Sequence, residues 1–355
     1  MSEESGFDAR LARAEPGLPG VLTVLDTGLL RRWAGAHGVA VPGLRVDRLR
    51  HKPATSLRAA LDPGDGGPWW LLTAYSAVAW RKAGKDVRAA ERAGGRAVVD
   101  ERLRLVLAPA AGDRALPWLR GRAAGRTVAH NPARRAVLRE TSAGVVTKVH
   151  ADPHTAVRSA RAADSVRRAG IVSPALELDG RHVAAARWVP GAPVRPGADL
   201  GDLLERMATA DVTGLPVLGR RDLASAVERA AAGTPRLDAG FDDRLRRTVS
   251  GWHRLAGRGR DLEPRGFAHG DLSPDQLLQT DEGVVVLDLD RACRAPRGWD
   301  RACWAAATAR EDGGSPVLVA AAALLRAPEP FRRRRPGWAA ATRALVELAA
   351  RAVAS

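Results

Sequence analysis

The part of this chain that most restricts what it can become is the stretch Gly266–Gln279, GFAHGDLSPDQLLQ, followed by Val284–Asp290, VVVLDLD. A short apolar strand delivers Asp271, Gln276 follows five residues later, and Asp288 closes the next apolar strand. Between the apolar runs Gln276–Thr280 and Val284–Leu289, the turn signal Asp281-Glu282-Gly283 predicts a β-hairpin with its polar groups at one end. One carboxylate can receive the proton of an attacking hydroxyl. The amide and the other carboxylate offer hard oxygens to Mg2+, which usually keeps some waters and takes its remaining ligands from phosphates. The plain alternative is a hairpin whose carboxylates merely cap turns. The arrangement is suited to phosphoryl transfer.

These residues resemble the catalytic loop and metal-binding strand of the aminoglycoside phosphotransferase family, the small-molecule branch of the protein-kinase-like fold. That family carries His-Gly-Asp, four variable residues and Asn, then an apolar strand ending in Asp. His269-Gly270-Asp271 and Asp288 match, and Gln276 takes the Asn position, as a Gln does in the related maltokinases. Gln is longer by one methylene and still offers a carbonyl oxygen. Further on, Gly298-Trp299-Asp300-Arg301-Ala302 falls where the family opens its next helix with Asp, so Asp300 is expected to cap that helix and brace the catalytic loop. The resemblance implies an α+β, two-lobed fold with a β-rich N-lobe and a mainly helical C-lobe. It also implies ATP and Mg2+ as cofactors, Asp271 as catalytic base or hydroxyl-orienting group, and Gln276 and Asp288 on the metal.

A kinase of this type needs a lysine on an N-lobe strand to hold the nucleotide phosphates. The chain contains only Lys52, Lys82, Lys85 and Lys148, and Lys148 sits within the alternating run Val145–His150. Upstream, Arg135–Gly144 reads as strand, turn and strand start. Its tip at Thr141–Gly144 could close over phosphates through backbone N–H groups, with Ser142 and Gly144 as the candidate contacts. A helix is expected from Pro153 to Ala169, capped by Gly170. The Glu that orients the lysine in kinases is missing from it, and its one acid is Asp164. Ile171–Leu178 and His182–Gly191 read as two strands. The stop at Trp188-Val189-Pro190-Gly191 resembles the family's hinge, where Trp188 and Val189 would meet adenine through backbone groups.

The first third of the chain echoes this lobe. His51-Lys-Pro-Ala-Thr-Ser is matched by His130-Asn-Pro-Ala-Arg-Arg, and each is followed by an apolar strand and a helix, closing at Gly94 and at Gly170. The alignment sets Ala74 opposite Lys148, so the first copy would bind no phosphate. The expected organisation is a capping subdomain over residues 1–126, read as a degenerate duplicate of the N-lobe, an N-lobe over 127–190 and a helical C-lobe over 191–355. Helices are expected over Asp199–Ala210, Arg221–Ala232, Phe241–Ala256, Trp299–Arg310, Val317–Arg326 and Trp338–Val353. Asp199, Asp202 and Glu205 could hold an acceptor or simply face solvent.

With 56 Lys and Arg against 40 Asp and Glu, the chain carries a formal charge of +16. This admits a nucleic-acid binder that uses its arginine excess. The spread of the arginines, the low aromatic content and the lack of a binding motif oppose that reading; the one dense run, Arg332–Arg335, reads as a solvated face. Cys293 and Cys303 are too few for a disulfide framework and are expected as reduced packing residues. Neither a basic, apolar leader nor an apolar run long enough to span a bilayer is evident, so a cytoplasmic protein without membrane contact is expected. The leading function is ATP-dependent transfer of the γ-phosphate to a hydroxyl of a small molecule, such as an aminoglycoside, sugar or amino sugar. A catalytically inactive nucleotide-binding relative with a regulatory role is the second reading. Oligomeric state and acceptor identity are left open.

Overall fold

The computed structural model describes residues 3–39, 41–122, 125–258, 262–310 and 314–355. Met1 and Ser2 of the N-terminal stretch therefore lie outside the described residues. The chain forms two compact units. The first comprises Met1–Pro153 with Phe331–Trp338, the second His154–Pro330 with Ala339–Ser355.

The first unit opens with α1 (Glu3–Ala14), α2 (Val21–Leu25) and α3 (Thr27–Ala36). Then come β1 (Arg45–Lys52), β2 (Ser56–Asp62), β3 (Trp70–Tyr75), α4 (Ala83–Arg92), β4 (Val98–Asp100) and β5 (Leu105–Pro109). These five strands form one sheet in the order β1-β2-β3-β5-β4, and the neighbouring strands pair antiparallel. β3 is almost wholly buried, which fits its largely apolar run, and β2 is buried at five of its seven positions. Next, β6 (Arg126–Asn131), β7 (Arg135–Glu140) and β8 (Val145–His150) form an antiparallel meander.

The two segments compared in the sequence share several local features. Ala54 and Ala133, each following Pro in its His-x-Pro-Ala motif, adopt left-handed φ of 53° and 55°. Thr55 N donates to Lys52 O as Arg134 N donates to Asn131 O, and Ser76 N donates to Thr55 O as Ala151 N donates to Arg134 O. Each motif is also gripped by one carboxylate that takes both the His ring and the Ala amide. Glu15 contacts His51 Nε2 at 3.0 Å and accepts from Ala54 N at 2.9 Å; Asp113 contacts His130 Nε2 at 3.1 Å and accepts from Ala133 N at 2.6 Å. Both following helices end on a left-handed Gly, with paired cap bonds from Gly94 and Gly95 in one copy and from Gly170 and Ile171 in the other. The strand pairing corrects the expected alignment by one residue. Arg58 faces Thr73 as Val137 faces Lys148, so the counterpart of the lysine is the buried Thr73 and not Ala74. The copies are also physically joined, since Arg50 of β1 donates to Pro132 O and Ala133 O.

One expectation about charge fails in this unit. Arg332–Arg335 is not a solvated face, because only Arg335 in it is exposed. Arg334 makes a two-point bond to buried Asp8 of α1, at 2.6 and 2.9 Å, donates to Leu25 O and lies over the rings of Phe331 and Trp338. A guanidinium can do this because its apolar face stacks while its edge bonds.

The second unit contains α5, whose Pro153–Arg168 span begins at the unit boundary, then β9 (Glu177–Asp179), β10 (Val183–Arg187) and β11 (Ala192–Pro193). Of the expected strand Ile171–Leu178 only the end is strand, although Val172 makes a parallel bridge to Val285. The helical part consists of α6 (Gly201–Ala208), α7 (Arg220–Gly233), α8 (Ala239–Arg258), α9 (Trp299–Thr308), α10 (Pro316–Arg326), the short α11 (Glu329–Arg332) and α12 (Trp338–Ala354). All six expected helices form. α10 is buried from Val317 to Leu324 and packs on α7, α8 and α9, as expected of a helix apolar all round. Among the described residues no helix is long and apolar enough to cross a membrane.

Candidate active site

Four short strands build the site. β12 (Pro264–Ala268) pairs with β15 (Cys293–Pro296), and β13 (Leu277–Thr280) with β14 (Gly283–Val286). The expected hairpin is present, with β14 ending at Val286, short of Leu289. Its register sets Leu277 against Val286 and Thr280 against Gly283. Asp271 leaves the end of β12, Gln276 closes a 3₁₀ turn at Pro274–Gln276, and Asp288 follows β14.

Hydrogen bonds tie the segments that carry these three to one another. Gln276 O accepts from Leu287 N at 2.9 Å, which places the amide residue beside the one that precedes Asp288. His269, fully buried, donates from Nε2 to Leu287 O at 2.7 Å, which fixes its tautomer; its Nδ1 is buried without a hydrogen-bond partner. Gly270 has φ +87°, and a Cβ there would lie 2.1 Å from Arg291 O, so only glycine lets the two turns approach this closely. Asp288 itself is left-handed, with φ 56° and ψ 49°. Asp is among the few residues other than glycine that visit this region, and such conformations cluster where a side chain must be aimed.

The helix cap expected of Asp300 is absent, since α9 has Gly298 at its N-cap with no side-chain cap bond, but the brace expected of Asp300 is present. Its Oδ2 accepts from His269 N at 2.7 Å and its Oδ1 from Gly270 N at 3.0 Å. Burial holds its carboxyl above the usual carboxylate range against the pull of His269 and the two amides, and the nearby Asp271 charge pushes the same way. Trp299 Nε1 donates to Gly270 O at 3.4 Å from the preceding position of α9. Cys293 and Cys303 are buried free thiols, and burial with the Asp300 charge raises Cys293 to about 12, well away from thiolate chemistry.

Sequence reasoning missed two arginines. Arg291 Nη1 lies 3.2 Å from Asp271 Oδ2, and Arg326 Nη1 lies 3.3 Å from Asp271 Oδ1. Arg291, three residues after Asp288, was within reach of motif reading. Arg326 was not, because it arrives 55 residues away at the end of α10. Also missed was Ser159 of α5, whose Oγ donates to Asp290 Oδ1 at 2.9 Å. It ties the helix that lacks the kinase Glu to the loop that carries Asp288. Asp164 is outside this arrangement and pairs at the surface with Arg167.

The remaining expected site residues lie elsewhere in the chain's architecture. Lys148 is on β8 of the first unit, opposite Val137. Ser142 and Gly144 are on the β7–β8 turn of that unit, with Gly144 at φ +62°. Trp188, 44 % exposed, and Val189 follow β10 in the second unit. Beside α6 and α9 a cleft of about 230 Å³ is lined by Asp199, Leu204, Arg301, Trp304 and Arg310 among others; Asp202 and Glu205 do not line it.

The donor set fits Mg2+. Among the described residues no cluster of three or more His, Cys, Asp or Glu could hold a metal alone. One carboxylate and one amide oxygen suit instead an ion that takes most of its ligands from phosphate and water.

Residues 125–339, more than half of the chain, match the family described as the phosphotransferase enzyme family. No curated protein matches. Among solved structures, the apo form of a thermostable mutant of aminoglycoside phosphotransferase APH(4)-Ia is similar at 11% identity over 64% of this chain and 94% of that one, with a TM-score of 0.49. A choline/ethanolamine kinase family protein from Mesorhizobium loti is similar at 18% identity over 69% and 97%, with a TM-score of 0.46. The macrolide 2'-phosphotransferase MphH from Brachybacterium faecium is similar at 16% identity over 77% and 98%, with a TM-score of 0.38.

Proposed function

Since this chain belongs to the phosphotransferase enzyme family, we propose that it transfers the γ-phosphate of ATP to a hydroxyl of a small molecule, with sugars and amino sugars, aminoglycosides included, as the acceptor classes to test. The observation that carries this reading is the stitching of the Asp271 loop to the Asp288 turn through Gln276 O, His269 Nε2 and the Gly270–Arg291 approach.

In this reading Asp271 orients the acceptor hydroxyl and takes its proton. Phosphoryl transfer needs little covalent help from the protein, so positioning and charge neutralisation carry most of the rate. Gln276 and Asp288 hold Mg2+, which when bound neutralises charge on the phosphates. Arg291 and Arg326 fix the Asp271 carboxylate in one orientation. Lys148 serves the α and β phosphates, the Ser142–Gly144 turn covers them, and Trp188 and Val189 meet the base through backbone groups. Residues 1–126 act as a cap derived from a duplicated N-lobe, 127–190 as the N-lobe and 191–355 as the C-lobe of a kinase-like enzyme.

The test is Mg2+-dependent nucleotide consumption over a panel of aminoglycosides, sugars and amino alcohols, with Asp288→Ala as the blank. Asp271→Ala should abolish most turnover and leave nucleotide affinity nearly intact. Full turnover by Asp271→Ala refutes the role given to that residue. Mg2+-dependent ATP binding with no phosphorylated product would instead favour an inactive regulatory relative, the reading that the missing helix Glu supports.

A further inference from the structure

The catalytic carboxylate is held from two sides by guanidinium groups of different origin. Arg291 reaches Asp271 Oδ2 from the turn that carries Asp288, the side assigned to the metal and donor phosphates. Arg326 reaches Oδ1 from the last residue of α10, the buried helix at the centre of the helical part. With the metal and donor phosphates assigned to the Arg291 side, Arg326 is the guanidinium left to the acceptor's side of that carboxylate.

Its surroundings favour a binding role. The Arg326 side chain is only 20 % exposed, against 59 % for Arg291, and α10 presents it from a rigid, buried segment. A guanidinium carries five N–H donors in a fixed fork, and the contact to Asp271 is made through Nη1 at 3.3 Å, longer than a well-formed charged hydrogen bond. An ammonium beside the reacting hydroxyl would meet two like charges at this carboxylate. An oxyanion there would meet a preorganised fork.

We propose that the acceptor carries an oxyanion, a carboxylate or a phosphate, close to the hydroxyl that is phosphorylated, and that Arg326 reads it. This rests on the phosphotransferase reading and narrows its list of acceptors away from amines.

The experiment uses the full chain with MgATP and four acceptors that share one ring or chain skeleton: glucose as reference, gluconate for a carboxylate, glucose 6-phosphate for a phosphate, and glucosamine for an amine. ADP release and product mass are read for each. The expected result is kcat/KM for one or both oxyanion acceptors at least tenfold above that for glucosamine, the better of the two identifying the oxyanion. Arg326→Gln should lose about tenfold of that preference, mainly through KM. Arg326→Lys, which keeps the charge, should retain most of it, and Arg326→Glu should move the preference toward glucosamine. Thermal melting and MgATP binding of each variant check that it is folded. Equal or better use of glucosamine by the wild type overturns the inference, as does a preference that survives Arg326→Gln. MgATP binding with no phosphorylation of either oxyanion acceptor overturns it and spares nucleotide binding, whereas failure to bind MgATP removes the phosphotransferase reading with it.

Discussion

Asp300 Oδ1 accepts the Gly270 amide at 3.0 Å across 30 positions of sequence, and so the first turn of α9 sets the position of the loop that presents Asp271. With its Oδ2 on the His269 amide, one buried carboxylate satisfies both N–H groups that precede Asp271. Asp300→Ala would leave both amides buried without acceptors. The expected cost is about 2–4 kcal/mol of stability, and kcat should fall by roughly 10²-fold through misplacement of Asp271. Chemical denaturation and steady-state kinetics check this; a variant with unaltered kcat would detach Asp300 from catalysis.

Gly270→Ala should be worse tolerated than its size suggests. The new methyl would meet Arg291 O at 2.1 Å in a left-handed backbone, so the Asp288–Arg291 turn must move. Strain of about 1–3 kcal/mol is expected, together with weaker Mg2+-dependent nucleotide binding by calorimetry. Normal binding by a stable variant would show that the close approach does not matter.

Arg334→Ala should loosen α1 from the first unit. Asp8 is buried, and burial raises its carboxyl above the ordinary range even with Arg334 opposing. Without the guanidinium an acid remains buried and unpaired, at a cost of about 3–5 kcal/mol. Proteolysis at the N-terminus, read against Arg335→Ala as the exposed control, is the measurement. The same packing means that neutralising the whole run would perturb the fold, so it is a poor probe of nucleic-acid binding.

Asp113 sets an acid limit on the first unit. Burial alone would raise its carboxyl, but the His130 bond and charge, Arg58 and the Ala133 amide outweigh it and bring it down to about 2. A depressed folded pKa means that the contribution is present above the unfolded value of 3.8 and is lost as pH falls through about 2. On this basis Asp113 contributes about 2–3 kcal/mol at neutral pH. Asp113→Asn should lower stability at pH 7 by that order, and the difference from wild type should shrink between pH 4 and pH 2 in denaturant titrations. A pH-independent difference would remove the electrostatic account.

Much of this protein could be read from its residues alone. The hairpin around Asp281-Glu282, the helical second half and the shared His-x-Pro-Ala pattern were all legible, because each depends on local spacing, turn chemistry or periodicity. The brace from Asp300 was also legible, through its place in a motif. Tertiary structure alone decided the rest. Arg326 reaches Asp271 only because α10 packs among α7, α8 and α9; Arg334 is a clamp, not a solvated charge, only because Asp8 is buried beneath it; and strand pairing, not sequence alignment, set Thr73 against Lys148. Local pattern specifies which face or turn a side chain occupies, but the partner that a charge meets depends on which distant elements fold against it, and that information is spread over the whole chain.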